Sequence, residues 1–249
     1  MRALLTAVGF LTRVPIPSRW VGEADLGHAT VFFPVVGGLI GLLLLGVDVA
    51  AERLWHSAPV SNTLVIATLI VVTGGLHLDG LMDTCDGVFG GRSREQALAI
   101  MRDSRVGAYG VLGALVLLGL RFAFLFALSG SLTWRALILM AVAGRWALVY
   151  ALVCFPSARA EGTGRALKDR VARGHLFWAS LLAAALGASL FGLNLLPLAA
   201  VALLAAWAPA RYLARRLGGL TGDTYGAIGE VAEVAVLAAM PLVAQTGWG

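Results

Sequence analysis

Runs of about 17 to 25 apolar residues recur along this chain to its C-terminal end, each long enough to cross the roughly 30 Å hydrocarbon layer of a bilayer as a helix. In hydrocarbon every backbone N–H and C=O must be satisfied within the segment, so such runs fold as helices. Seven spans are expected, near residues 30–50, 61–78, 107–128, 135–155, 176–193, 196–210 and 228–245. Composition agrees. Of 249 residues, 59% are hydrophobic and 13% charged, about half the roughly 25% charged share of soluble domains, and mean hydropathy is +0.85. The expected fold class is all-α: a polytopic integral membrane helical bundle of about seven transmembrane helices, one domain over residues 1–249. The opening "MRALLTAVGFLTRVPIPSRW" holds an apolar stretch of about ten residues, too short to span, broken by Arg13, Pro15 and Pro17. It reads as an N-terminal interfacial helix. No small-residue cleavage site precedes Pro15, which argues against a removed signal.

The net charge of +5 does not point to nucleic acid, because the basic residues sit in the gaps between apolar runs and no aromatic-basic surface motif appears. Orientation in the membrane explains them. Of nineteen basic residues, all but Arg53, Arg135, Arg121 and Arg145 fall in four segments on one side: the N-terminal segment, 79–106, 156–175 and 211–227. By the positive-inside rule that side is cytoplasmic. Cys85 and Cys154 are too few for a disulfide framework or zinc site and are expected to be bystanders.

The acidic residues collect on the same side. In "DGLMDTCDG", Asp79, Asp83 and Asp86 are spaced i, i+4, i+7, which places all three on one face of a helix. Like charges so placed repel, and more strongly as the dielectric falls at a membrane boundary. A cation would relieve them. Oxygen donors without sulfur or several histidines suit Mg²⁺ or Mn²⁺, bridged to substrate phosphates. Gly80 and Gly87 remove bulk beside the carboxylates, so a large ligand is expected to approach the backbone there. The plain alternative is a solvated helix end paired with Arg92, Arg94 and Arg102. His77 reads equally as a packing residue or a site residue.

Downstream, "FGGRSREQALAIMRDSRVGAYG" adds Arg92, Arg94, Arg102, Arg105 and Asp103. Guanidinium forks and glycine-exposed amides bind phosphate, although topology and anionic lipid account for any single arginine as well. "LTGDTYGAIGEVAEVAVL" sets Asp223 before the last span and Glu230 and Glu233 inside it, where carboxylates must face protein or water. Mid-span Arg145 is expected to pair with one of them. The loop "FPSARAEGTGRALKDRVARG", with Arg159, is basic and glycine-punctuated, which suits a diphosphate or nucleotide.

"GGLHLDGLMDTCDGVFGGRSREQALAIMRDSRVGAYGVLG" (74–113) closely resembles the signature of the adenosylcobinamide-GDP ribazoletransferase, or cobalamin synthase, family of late vitamin B12 assembly. The flanks agree in order: "FLTRVPIP" at 10–17, "FFPVVGGLIG" at 32–41, "PSAR" at 156–159 and "LTGDTYGAIGEVAEV" at 220–234. "AEGTGRA" at 160–166 departs from the shorter Gly-Leu-Gly-like version expected there. The resemblance implies a Mg²⁺-dependent membrane transferase of a bacterial or archaeal cell. It would join adenosylcobinamide-GDP to α-ribazole or its 5′-phosphate, release GMP, face the cytoplasm, and associate with other corrinoid-assembly enzymes.

On that resemblance the metal ligands are Asp79, Asp83 and Asp86, with catalysis by these and Glu230. Substrate contacts are Arg92, Arg94, Arg102, Asp103, Arg105, Arg145, Arg159 and Asp223. The chain is similar in logic to the CDP-alcohol phosphotransferases, but Asp83 stands where their AR pair falls. A secondary transporter is the rival from another class. It is disfavoured because the acids cluster at one surface and no inverted repeat is visible.

Overall fold

The computed structural model of the protein describes residues 1–22, 25–128 and 130–244. The described residues form helices α1 (Arg2–Leu11), α2 (Leu26–Ala29), α3 (Phe33–Trp55), α4 (Ala58–Thr73), α5 (Leu76–Gly90) and α6 (Arg94–Ile100), followed by α7 (Ala108–Ala127), α8 (Ser131–Cys154), α9 (Thr163–Lys168), α10 (Arg173–Phe191), α11 (Leu195–Leu217) and α12 (Gly222–Ala244). Among the described residues the only β pairing is an isolated parallel bridge between Ser157 and Leu220, so the all-α expectation holds.

Helix α8 forms the centre, with α3, α10, α11 and α12 packed around it. Its sequence is apolar all round, as a buried helix requires. Gly37 and Gly41 of α3 explain the tightest of these contacts. A Cβ on either would run into the α8 backbone at Ala141–Val142 and Leu137–Ile138, so the pair acts as the small-xxx-small spacing that lets membrane helices approach closely. The outer faces are apolar as well: Leu112, Leu115 and Val116 on α7, Phe177 and Trp178 on α10, and Leu203 and Leu204 on α11 are all exposed. Such a surface suits lipid rather than water.

Five stretches are long and apolar enough to cross a membrane, and α4 with α5 makes a sixth only if the two are taken together across a 90° bend. The sequence count of seven treats 176–193 and 196–210 as separate spans, whereas Arg173–Leu217 qualifies as one stretch of 45 residues. It is interrupted by Gly192 at φ 55° and a single 3-10 turn. Ser180 and Ala184 of α10 line one apolar cavity with Ala199 and Ala202 of α11, so the two legs fold back beside each other. The expected end of the last span, residue 245, lies outside the described residues.

The sequence run 61–78 is also not continuous. Helix α4 ends at Thr73, and Gly74 and Gly75 follow at φ 65° and 68°. Two successive left-handed residues are cheap only for glycine, and they turn the chain so that α5 leaves the axis of α4. The N-terminal segment is tied to this hinge: the Arg13 N–H donates to Val72 O at 2.7 Å, and the Arg13 side chain lies over Gly74.

Two substitutions separate the roles of the hinge glycines. A Cβ on Gly75 would meet only Ile70 Cγ2, at 3.9 Å, so Gly75→Ala should cost only its left-handed penalty of about 1–2 kcal/mol. Gly74→Ala should cost more, because Arg13 must move as well. Thermal unfolding in detergent should rank wild type above Gly75→Ala and that above Gly74→Ala.

Candidate active site

Helix α5 lies wedged between α7 and α12, and this wedging divides its carboxylates. Asp86 faces α7. Its two oxygens accept from the N–H groups of Gly107 and Gly110, both at 2.8 Å. A carboxylate there satisfies orphan donors at a helix N-terminus and complements its dipole. Both glycines are required, because a Cβ on either would collide with the Asp86 carboxylate. The expected metal ligand Asp86 is thus buried and fully engaged in capping α7.

Asp79 is exposed and Asp83 half-buried, near enough to α12 for Asp83 to feel the charge of Asp223. Gly80 lets the two helices touch, since a Cβ there would stand 2.7 Å from Asp223 O. Gly226 does the same one turn on, where a Cβ would meet His77 Cα at 3.0 Å. This corrects the expectation that Gly80 and Gly87 open space for a ligand. Gly80 is filled by the α12 backbone and Gly87 by Ala97 and Met101 at α6.

The close approach brings Asp223 against Asp79 and Asp83. Asp83 feels the repulsion of Asp79, Asp223 and Asp86, and the attraction of one cation, Arg159. Arg159 NH1 lies 3.2 Å from Asp223 Oδ2, and Thr221 Oγ1 donates to the same oxygen at 3.2 Å. Arg159 reaches this point because its loop is pinned to the start of α12: Leu220 N donates to Pro156 O at 2.7 Å and Ala158 N to Leu220 O at 2.8 Å. "PSAR" and "LTGD", distant in sequence, are therefore neighbours.

Two recesses flank this point. A cavity of about 240 Å³ reaches from Asp79 and Asp223 down to His77, Tyr225, Phe10, Phe33, Leu148 and Leu152. A smaller polar recess of about 150 Å³ is lined by Arg159, Arg165, Ser157, Gly162 and Thr221. The Gly164 and Gly222 backbones, lining both recesses, meet between them so closely that a Cβ on Gly164 would stand 2.7 Å from Gly222 N. Arg159 lines that recess, and its Nε is buried with no hydrogen-bond partner among the described residues.

The remaining sequence candidates are spread more widely. Arg94 Nε donates to Leu217 O at 2.7 Å, capping the end of α11, and Arg216 reciprocates on Gly91 O at 2.6 Å. Arg92 and Arg102 are exposed and carry no side-chain partner among the described residues. Asp103 and Arg105 form an exposed pair at 2.6 Å, whose hydrogen bonds pull the Asp103 carboxyl down to about 2. Glu230 and Arg145 lie below the cleft in a buried network. Arg121 of α7 donates to Glu230 and to Glu233 at 2.7 Å each, and Arg145 of α8 donates to Glu233. Arg145 thus pairs with an acid of the last span, as expected. Glu230 is bound to Arg121 and does not line the cavity.

Among the described residues no three Asp, Glu, His or Cys side chains close a metal-ligand set by themselves. Asp79, Asp83 and Asp223 still crowd one cleft against a single arginine. Hard oxygen donors with uncompensated charge and an open side fit a divalent cation that takes its other ligands from water and phosphate.

A sequence model of the family described as "Cobalamin-5-phosphate synthase" matches residues 3–241. The chain belongs to that family. Relatives named adenosylcobinamide-GDP ribazoletransferase include a protein of Roseiflexus sp., 42% identical over 96% of this chain and 88% of its own length. Those of Desulforamulus reducens (40%; 94% of each chain) and Herpetosiphon aurantiacus (39%; 96% and 95%) are similar. No solved structure matches the chain. The protein is accordingly a transferase of the cobalamin synthase family, and the cleft holding "DGLMD", "PSAR" and "LTGD" is its candidate active site.

Three features of this family member escape sequence reasoning. Arg121 looks like a stray cation in a span, since nothing local shows that it meets two glutamates more than a hundred residues away. Tyr225 looks like an ordinary aromatic near a helix start. Gly107 and Gly110 read as phosphate-binding glycines, yet they admit Asp86.

Two substitutions test these assignments by stability. Asp86→Ala removes the α7 cap and should cost about 1–2 kcal/mol, read as a lowered thermal midpoint in detergent. Glu233→Leu leaves Arg145 buried without its acid and should cost about 3–5 kcal/mol, so little folded protein should survive size-exclusion chromatography.

Proposed function

We propose that the protein transfers the adenosylcobinamide phosphate moiety of adenosylcobinamide-GDP to α-ribazole or its 5′-phosphate, releasing GMP, on a face turned to the cytoplasm. One observation carries this reading beyond the relatives' names: α5 and α12 bring Asp79 and Asp223 together at one largely apolar cavity, Asp223 also borders a smaller polar recess, and Asp83 is close enough to feel both charges. That arrangement serves a reaction joining two different substrates at a diphosphate.

In this reading the 3′-hydroxyl oxygen of the ribazole attacks the phosphorus on the cobinamide side. The bond from that phosphorus to the bridging oxygen breaks, and GMP departs with the oxygen. The hydroxyl proton passes to a carboxylate of the cluster. Asp83 suits this role best, because its partial burial and then the neighbouring charges of Asp79, Asp223 and Asp86 favour a proton on it. Glu230, committed to Arg121 beneath the cleft, is set aside as the base. Arg159 holds Asp223 with one nitrogen and, lining the polar recess, places a guanidinium charge where a phosphate would sit. Asp79, with Asp223 opposite, would hold Mg²⁺, leaving Asp83 for the proton; when bound, the ion would neutralise the diphosphate and the charge on the departing GMP.

The test is GMP release from adenosylcobinamide-GDP and α-ribazole by the purified protein in lipid vesicles. Wild type should turn over with Mg²⁺ and stop with EDTA. Asp83→Asn should lose at least about a hundredfold in rate, the scale of a positioned acid-base group. Its thermal midpoint should hold or rise, since a repelled charge is removed. Near-normal turnover by Asp83→Asn would sink the assignment. Release of CMP from CDP-diacylglycerol and an alcohol, with no GMP, would move the protein to phospholipid synthesis.

A further inference from the structure

Helix α5 has a second functional face. Leu81, Cys85 and Phe89 recur at i, i+4 and i+8 and line a groove that they share with α7 and α12. This stripe lies about 200° around the helix from Asp79 and Asp83. The groove encloses about 500 Å³ and its lining is almost wholly hydrocarbon. Along α7 it runs from Tyr109 to Leu120, a rise of about 16 Å. That is about half of the roughly 30 Å hydrocarbon layer, the depth of one leaflet.

One end of the groove is a lip of two exposed aromatic rings, Phe89 at the end of α5 and Tyr109 at the start of α7, with centroids 6.0 Å apart. Aromatic rings favour the boundary between membrane and water. The segment joining the two helices packs onto this lip: a Cβ on Gly90 would meet Ile100 Cδ1 at 3.6 Å and Tyr109 Cδ2 at 3.9 Å. Arg92 and Arg102 follow Gly90 and Ile100 by two residues each, so both guanidiniums are within a side chain's reach of the lip. Between Gly91 and Gly107 four arginines face two acids, Glu95 and Asp103. Arg105 is taken by Asp103 and Arg94 by Leu217 O. Arg92 and Arg102 are exposed and have no side-chain partner among the described residues.

We infer that the groove holds one acyl chain of an anionic phospholipid, whose headgroup lies against Arg92 and Arg102 at the Phe89–Tyr109 lip. Depth, lining and charge each select this occupant. A lipid without net charge would fill the groove but leave two cations uncompensated, and a soluble phosphate would meet the cations but leave the groove empty. The inference is independent of the transferase reading, because binding is read without turnover.

The experiment offers the full chain, delipidated in neutral detergent, equimolar phosphatidylglycerol and phosphatidylcholine with the same acyl chains, and identifies the most tightly retained lipid by native mass spectrometry. Wild type should retain phosphatidylglycerol about twenty-fivefold over phosphatidylcholine, at about fivefold for each arginine. Arg92→Gln and Arg102→Gln should each lower that ratio about fivefold, and the double variant should bring it near one. Val116 is an exposed residue of the groove, so Val116→Trp should fill the groove from the lipid side without disturbing the core, and should abolish retention of either lipid. Equal retention of the two lipids by wild type, a measurement needing no variant to fold, overturns the inference. So does undiminished retention by Val116→Trp, or displacement of phosphatidylglycerol by soluble glycerol 1-phosphate, which would leave the arginines as a phosphate site that does not use the groove. A dimer that Val116→Trp dissolves would give the groove to a second copy of the chain and overturn it as well.

Discussion

Two guanidiniums and two carboxylates inside an apolar bundle set the frame for everything else in this protein. Arg121 and Arg145 are each 1% exposed, Glu233 2% and Glu230 7%, and their formal charges cancel. Isolated charges at such depth would cost many kcal/mol. Cancellation makes burial tolerable, but only while α7, α8 and α12 keep one mutual rotation. The approach is close, since a Cβ on Gly144 of α8 would strike the Glu233 side chain and one on Gly229 would meet Gly144 O at 3.2 Å. Hydrophobic packing between membrane helices is weakly directional. The ion network supplies direction, and it fixes which side of α12 faces α5.

That rotation matters because the first turns of α12 carry Asp223, Tyr225 and Gly226. Helix α5, thrown off the axis of α4 by Gly74 and Gly75, crosses α12 where Gly80 and Gly226 allow backbones to touch. A site with several carboxylates could not form by repulsive groups seeking one another. Here the carboxylates are forced together by glycine contacts and by an ion network one layer below, and the cleft keeps the electrostatic debt. On the proposed reading a polyanionic substrate with its cation is the complement, so that stability and activity draw on different residues. The network and the Asp86 cap hold the frame, while Asp79, Asp83 and Asp223 work against it.

This division explains what was legible in the sequence. Apolar runs and arginine placement reveal an all-α membrane protein, because both are one-dimensional signals of a two-dimensional solvent. The i, i+4, i+7 spacing correctly puts Asp79, Asp83 and Asp86 on a helix. It cannot show that this helix is wedged between two others, one of which takes Asp86 as a cap. Glycines mislead for the same reason: the absence of a side chain shows that something comes close, not whether it is a ligand, a helix backbone, as for Gly80, or a carboxylate, as for Gly107. Arg94 reads as a phosphate binder, although its partner is the carbonyl of Leu217, 123 residues away.

The meeting of Gly164 with Gly222 carries the last step. Each of the two recesses borders Asp223, and the wall between them is little more than two glycine backbones. A thin partition lets groups of different chemistry occupy either side while their reacting ends stay within reach of one carboxylate cluster. Bringing two reactants together in this way removes much of the entropic barrier to a bimolecular step. It also sorts them without a moving part. One side is walled mostly by hydrocarbon, Phe10, Phe33, Leu148 and Leu152, and the other by Arg159, Arg165 and Ser157. A side chain larger than glycine at 164 would collide with the Gly222 backbone and push the partition apart, whereas a Cβ on Gly222 would stand 3.7 Å from Gly164 N, in ordinary contact. Gly164 of "AEGTGRA" is therefore the residue whose missing side chain keeps that wall thin.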